Sequence, residues 1–221
     1  MYPVFLDIRG KLCVVVGGGR VARRKVEGLL AAGAAVRVIS PEVGTHLAAL
    51  AGEGMIEWVS RAYAEGDLDK AFLVFAATDD RRTQELIRRH AEAHRQFVNI
   101  ADDPGRSDFH VPSLFRRGGL TIAVSTSGKS PAVAALIRKE LEHGYGPEYA
   151  VLLEIMALVR QRLSVGGNTQ DERKKIYKKI LHGDILAWIQ RGRMDKVRAH
   201  LEDILGAAMT PDLGNIGQEI E

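Results

Sequence analysis

The sequence predicts an α/β protein whose first half is a doubly wound parallel sheet and whose last third is purely helical. Three observations carry that expectation. Short β-branched runs alternate with amphipathic helical stretches up to residue 100. The run AFLVFAA at residues 71–77 is continuously apolar, as a strand covered on both faces must be. After Gly144-Tyr145-Gly146-Pro147 no strand signal remains, only helical periodicity.

Taken in order, Leu12–Val16 is a short β-branched run ending in three glycines, hence a buried strand. Ala22, Val26, Leu29, Leu30 and Gly33 then share one helical face, with Arg23, Arg24 and Glu27 opposite, and Gly33 ends the helix. Ala35–Ile39 is a second strand stopped by Ser40-Pro41, and residues 56–59 a weaker third. After the run at 71–77, a helix over 82–94 leads to a strand at Phe97–Ile100. Beyond the turn Asp103-Pro104-Gly105-Arg106, strands are expected at 109–111 and Leu120–Val124. A polar loop, Ser125 to Ser130, precedes a helix over 131–142 with Pro131 in its first turn. Helices follow to Leu205, with Tyr177, Ile180 and Trp188 as core positions and Lys174, Lys175, Lys178 and Lys179 as a solvated face. The chain after Thr210 is expected to fray.

The 221 residues are 46% apolar, enough for one core or for a domain with a smaller attachment. A net charge of +3 is too mild to suggest nucleic acid. No stretch approaches the roughly 18 apolar residues of a membrane span. The first residues lack the basic start of a secretory signal, so a soluble, cytoplasmic protein is expected. Cys13 is the single cysteine and lies in an apolar run, where a buried structural thiol is expected. His46, His90, His94, His143, His182 and His200 show no ligand spacing, so no resident metal site is expected.

Residues 12–33 combine a buried strand, a Gly-x-Gly-x-x-Ala turn and an amphipathic helix, the arrangement that binds a dinucleotide. Gly17 permits the tight turn, Gly19 removes a Cβ from the path of the pyrophosphate, and Ala22 lets helix and strand approach. The amides of Gly18, Gly19, Arg20 and Val21 open the helix toward the phosphates. The acid that usually ends the second strand and binds the ribose is missing. Ser40, Pro41 and Glu42 stand there instead, so spacing alone leaves NAD against NADP open. Arg37 reads equally as a 2′-phosphate ligand or a solvated side chain. Thr78 and Asp79 follow the 71–77 strand and are expected either to line the cofactor crevice or to cap the next helix.

The segments GGGRVARRK (17–25), AATDD (76–80), NIADD (99–103) and STSGKSP (125–131), in this order, resemble precorrin-2 dehydrogenase, the dehydrogenase/ferrochelatase module of siroheme synthases. The resemblance is close over residues 1–150 and loose beyond. It implies a Rossmann domain at 1–112, a dimerisation segment at 113–146 and a C-terminal helical domain at 147–221, assembled as a homodimer with the active site in a cleft between the zones. It also implies NAD-dependent oxidation of precorrin-2 to sirohydrochlorin. Some members insert iron as well, which makes ferrous or cobaltous ion a further candidate substrate. Full-length siroheme synthases carry a methyltransferase domain for which there is no room here, so methylation is expected to fall to another protein.

By the same resemblance Asp102 is the catalytic base, although its residues alone allow a plain turn role beside Asp103-Pro104. The substrate's eight carboxylates call for cations. Arg106, Arg116, Arg117, Lys129 and Arg138 are candidates, and Ser125, Thr126, Ser127 and Gly128 form a candidate anion-binding loop. His110 is the one histidine that competes as a base or metal ligand, although a lone histidine in a strand reads first as structural and the resemblance does not promote it. The alternative function is a non-catalytic NAD-sensing regulatory module, which accounts for the glycine turn but not for Asp102 or the 125–131 segment.

Overall fold

Strand β1 (Leu12–Val16) forms where the sequence is most β-branched, and its alternating side chains divide between two cores. In the computed structural model, which describes residues 1–214 and 216, it is the centre of a five-stranded parallel sheet. The other strands are β2 (Ala35–Ile39), β3 (Glu57–Val59), β4 (Leu73–Ala76) and β5 (Phe97–Ile100), in the order β3-β2-β1-β4-β5. Cys13 and Val15 face helices α1 (Arg20–Leu30) and α2 (Thr45–Gly52), through Ala22, Val26, Leu29 and Leu47. Val14 and Val16 face Ile87 and Ala91 of α3 (Arg81–Ala93). Each fully buried Val or Ile here contributes about 1.5–3 kcal/mol. Cys13 is part of this packing, and burial raises its thiol to about 11.

Helix α2 is an element the sequence pattern does not announce. Its N-cap is Gly44 with no side-chain cap bond, and Leu47 is its one fully buried residue. Burying Leu47 against the sheet, rather than local propensity, holds it. The strand expected at 109–111 is absent. The amides on the outer edge of β5 are taken by side chains instead: Val98 N–H donates to Asp108 at 3.0 Å and Ile100 N–H to the Ser107 hydroxyl at 2.9 Å. The Asn99 amide donates to the Phe109 carbonyl at 2.9 Å, while the Phe109 ring packs edge-on against Phe75. With those donors satisfied, a sixth strand has nothing to pair with on this edge.

The chain divides into two compact units, Met1–Val111 and Pro112–Glu221. In the second, β6 (Ser113–Arg117) pairs antiparallel with β7 (Leu120–Val124) across Gly118-Gly119. Strand β6 is the other element missed in the sequence, where Phe109–Val111 had the stronger apolar signal. Helix α4 (Pro131–Gly144) follows, with Pro131 in its first turn and Ser130 accepting the Val133 N–H. Four further helices, α5 (Glu148–Val165), α6 (Gln170–Leu181), α7 (Ile185–Gln190) and α8 (Met194–Leu205), enclose a separate core around Ile155, Val159, Ile180 and Leu201. Tyr177 and Trp188 pack against that core, and the four lysines of α6 are exposed, both as expected. Leu213 is also buried there, so the chain is held beyond Thr210, where fraying was expected; residues 215 and 217–221 lie outside the described part. Among the described residues no helix is long and apolar enough to cross a membrane.

One surface ion pair of the first unit is worth testing. Asp67, 9% exposed at its side chain, receives both Arg61 guanidinium nitrogens at 2.7 and 2.6 Å and the Ala64 N–H at 2.7 Å. The Arg61 bonds, with the Ala64 amide helping against burial, hold its carboxyl below the usual range. Its stabilisation is therefore complete above about pH 4, where the unfolded carboxyl ionises, and is lost as pH falls through the lower folded value. Asp67→Asn is expected to cost about 2 kcal/mol at pH 7 and to flatten that acid-side loss, which urea unfolding at pH 7 and pH 3 measures.

Candidate active site

The carboxyl ends of β1, β4 and β5 meet where the strand order reverses, the place where open α/β sheets bind ligands. A cavity of about 240 Å³ lies there, bordered by Val21, Thr78, Asp79, Asp102, Asp103 and Arg106.

The glycine turn forms one wall, and its three glycines are required for different reasons. Gly17 has φ +126°, and a Cβ on it would collide with the Ala77 carbonyl of the chain leaving β4. A Cβ on Gly18 would strike the Glu42 carbonyl beyond β2. A Cβ on Gly19 would meet nothing within 4 Å, so the space in front of it is open. Gly17→Ala should therefore lose at least about 3 kcal/mol through backbone strain and overpacking, visible as a lowered urea midpoint without any nucleotide present.

Gly19 is the N-cap of α1 and provides no side-chain cap. The N–H groups of Arg20, Val21 and Ala22 therefore lack intrahelical partners, and no acid occupies the first turn. Arg20, Arg23, Arg24 and Lys25 load this positive end with further positive charge, an arrangement that an anion relieves. The open amides and the empty volume at Gly19 fit a dinucleotide pyrophosphate.

The rim beyond β2 corrects one expectation. The Ser40 hydroxyl is not free for a ribose: it is buried and donates to the Glu42 carbonyl at 2.6 Å. Trp58 Nε1 donates to the Ser40 carbonyl at 3.0 Å and the Ser60 hydroxyl to Pro41 at 3.2 Å, so the rim is braced. Glu42 is exposed, and its carboxylate has no partner among the described residues. Arg37 pairs in register with Glu57 across β2 and β3, at 2.8 Å, so its guanidinium already has a carboxylate beside it.

After β4 the two expected roles fall to neighbouring residues. Asp80 caps α3, accepting from Arg82 N–H, Thr83 N–H and the Thr83 hydroxyl. Those bonds, the Thr83 hydroxyl first, hold its carboxyl low. Thr78 and Asp79 are left on the cavity, with the Thr78 carbonyl fixed by Gln84 at 2.7 Å.

The acids after β5 divide in the same way. Asp103 accepts the Arg106 N–H and caps the short 3-10 turn Pro104–Arg106. Asp108 is held by Val98 N–H and by Arg88 at 2.7 Å. Asp102 has no hydrogen-bond or ion-pair partner among the described residues. It sits at φ +60°, a left-handed conformation that aspartate tolerates better than most side chains. Arg106 borders the same cavity, but Glu85 and, at 3.8 Å, Asp103 offset its charge. His110 faces the Pro104 carbonyl at 3.2 Å. Lys25, which the sequence reading left without a role, lies on α1 one turn after Val21, with its ammonium 5.6 Å from the Phe75 ring centre. Counting four residues on from the cavity-lining Val21 is the signal that would have found it.

In the second unit, the 125–130 loop is internally bonded. The Thr126 hydroxyl accepts from Ser130 N–H and donates to the Ser130 carbonyl, so it shapes the loop and has no donor left for a ligand. The Ser125 hydroxyl accepts the Ser127 N–H at 3.2 Å. Ser127 and Gly128 both have positive φ, and Lys129 is exposed without an ion pair among the described residues. Arg117 and Arg138 both reach Glu142, which leaves Arg116 and Lys129 as the unpaired cations among those singled out in this unit.

Comparison with known proteins agrees with this layout. An NAD(P)-binding family model matches residues 4–113, and the model for the sirohaem biosynthesis protein central region matches residues 117–143. The siroheme synthase of Nitrosococcus oceani is 36% identical over 214 residues, covering 97% of this chain and 46% of that protein. The chain belongs to the siroheme synthase N-terminal module family. Siroheme synthase 3 of Aeromonas hydrophila is 37% identical over 184 residues, 83% of this chain and 39% of that one. The chain thus spans less than half the length of these curated family members. A solved structure named SirC, precorrin-2 dehydrogenase, superposes with a TM-score of 0.75 at 26% identity, covering 90% of this chain and all of that one. Within the family frame, the first unit carries the nicotinamide dinucleotide cradle and Asp102.

Proposed function

We propose that this protein oxidises precorrin-2 to sirohydrochlorin with NAD as the hydride acceptor. The observation that carries the reading is Asp102, the one acid of the 102–108 turn left without a partner among the described residues, on the cavity at the sheet's reversal point. The likeness to a precorrin-2 dehydrogenase over nine-tenths of the chain supports the substrate.

Bound NAD supplies the hydride acceptor; positioning and proton transfer are the work of the chain. The N–H groups of Arg20, Val21 and Ala22 hold the pyrophosphate, with Gly19 letting it approach and Gly18 letting the turn pack against the Glu42 carbonyl. Glu42 replaces Ser40 as the group for the ribose hydroxyls, and an acid there favours NAD over its 2′-phosphorylated form. Thr78 and Asp79 bound the cofactor on the β4 side. As hydride leaves the reduced tetrapyrrole, the Asp102 carboxylate takes the accompanying proton and passes it to solvent, a role worth about 10²- to 10⁴-fold in rate. Arg106, Ser125, Ser127, Gly128 and Lys129 serve the substrate carboxylates, with Thr126 shaping the loop for them.

A homodimer is part of the same reading. Helix α4 leaves Val133, Leu136 and Ile137 exposed at 45%, 58% and 37%, an apolar face within the proposed dimerisation segment 113–146.

The test is anaerobic absorbance of the protein with fresh precorrin-2 and NAD, then ferrous or cobaltous ion as second substrate. NAD-dependent appearance of the sirohydrochlorin spectrum is expected. Its accelerated loss with metal would extend the activity to chelation. NAD binding with precorrin-2 unchanged would point to a sensor instead.

A further inference from the structure

A second cavity, of about 760 Å³, opens at the other end of the parallel sheet, where β1, β4 and β5 begin. Lys11, Lys70 and Arg95 border it together with Phe72 and Phe97, and it shares no lining residue with the cofactor cavity. Its volume is that of a small-molecule site.

The three cations have no ion pair among the described residues. Asp69 is the one acid on the wall, and it pairs with none of them. The carboxyl end of α3, which His94 caps, adds a negative partial charge of about one half. These fall short of three full positive charges, so the cavity is positive at pH 7 even with His94 neutral. Phe72 and Phe97 stay 38% and 57% exposed. Exposed rings beside unpaired cations suit a flat apolar body that carries anionic groups.

Two of the cations stand where the backbone favours glycine. Arg95, at φ +54°, follows the cap of α3; its N–H donates to the Glu92 carbonyl at 3.1 Å, and Gln96 N–H donates to the Ala91 carbonyl at 2.8 Å. Glycine is the usual residue at such a helix end. Lys70, at φ +63°, lies in the turn closed by Ala71 N–H on the Leu68 carbonyl at 2.9 Å. Positive φ favours glycine there too. The Gln96 amide ties the two segments together, donating to the Leu68 and Ala71 carbonyls at 2.6 and 3.0 Å. The turns alone do not account for a lysine and an arginine at these two positions, whereas a charged ligand does. The brace sets both on one wall before a ligand arrives, which lowers the ordering cost of binding.

We propose that this cavity is a second ligand site, for a polyanion built on a flat ring system. The proposal goes beyond the dehydrogenase reading and does not depend on it. Two sources share the chemistry, a purine nucleotide with its phosphates and a tetrapyrrole with its carboxylates, so the probes are ATP and uroporphyrin. Each is titrated into the protein saturated with NAD, ATP by calorimetry and uroporphyrin by absorbance.

One of the two is expected to bind with a Kd below about 100 µM, and that one names the source. Lys70→Gly and Arg95→Gly should each weaken it about tenfold, and the double variant about 100-fold, as the loss of one charge-assisted contact apiece requires. Glycine relaxes the backbone at both positions, so these variants should melt no lower than the parent, which separates lost binding from lost folding. NAD affinity should be unmoved, since neither residue borders the cofactor cavity. Failure of both probes to bind below about 1 mM overturns the proposal. So does binding that Lys70→Gly and Arg95→Gly leave unchanged, because it then belongs to the cofactor or substrate site.

Discussion

Gly19→Asp is expected to lose dinucleotide binding by at least about 100-fold in Kd, or roughly 2.8 kcal/mol, while folding at least as well as the parent. The two effects separate because of where Gly19 lies. Its φ of −84° is open to any residue, and a Cβ there meets nothing within 4 Å, so the fold has no objection to a side chain. Aspartate is also among the best N-caps, and the uncapped amides of α1 would gain an acceptor. That same carboxylate would occupy the volume and the amides meant for the pyrophosphate, and would repel it. Calorimetric titration with NAD, beside a thermal melt of the unliganded protein, reads both. Unchanged affinity would remove the cofactor from this turn. The contrast with Gly17→Ala, expected to weaken the fold itself, distinguishes a glycine needed by the ligand from one needed by the chain.

Asp102→Ala is expected to lower kcat by about 10²- to 10⁴-fold, the usual worth of a positioned general base, with NAD affinity and tetrapyrrole binding retained. At φ +60° alanine is less at ease than aspartate, so Asp102→Asn is the partner variant, since asparagine tolerates that conformation. Single-turnover absorbance under anaerobic conditions separates the chemical step from binding. Two dead variants with intact binding would establish the base, whereas an active Asp102→Ala enzyme would send the search to His110, whose ring lies beside the Pro104 carbonyl in the same turn.

Asp102 and Ser127 are two of four non-glycine residues with positive φ among the described residues, the others being Lys70 and Arg95. Their strain falls on both of the segments singled out for catalysis and substrate binding. That pattern is common where a site imposes a conformation local propensity does not favour.

Much of this protein was legible in its sequence because the relevant physics is local. Leu12–Val16, Ala35–Ile39, Phe97–Ile100 and Leu120–Val124 are strands at those boundaries, since β-branched runs between glycine, proline and polar breaks have few other ways to fold. The glycine turn declared its chemistry because a tight turn and an open helix N-terminus need those residues in that order. The change to helices after Pro147 needed only periodicity.

What tertiary structure alone decided were the matters of partnership. Nothing near Ser40 in the sequence reveals that its hydroxyl is spent on the Glu42 carbonyl, or that Arg37 meets Glu57, because that pairing depends on the register of β2 with β3. The strand expected at Phe109–Val111 was lost to side chains of Asp108, Ser107 and Asn99 that occupy the β5 edge, and α2 exists because Leu47 found a core to enter. Three acids, Asp102, Asp103 and Asp108, read alike along the chain. Only folding gave two of them hydrogen-bonding duties and left the third free, since a carboxylate's role is set by which donors the fold brings within about 3 Å of it.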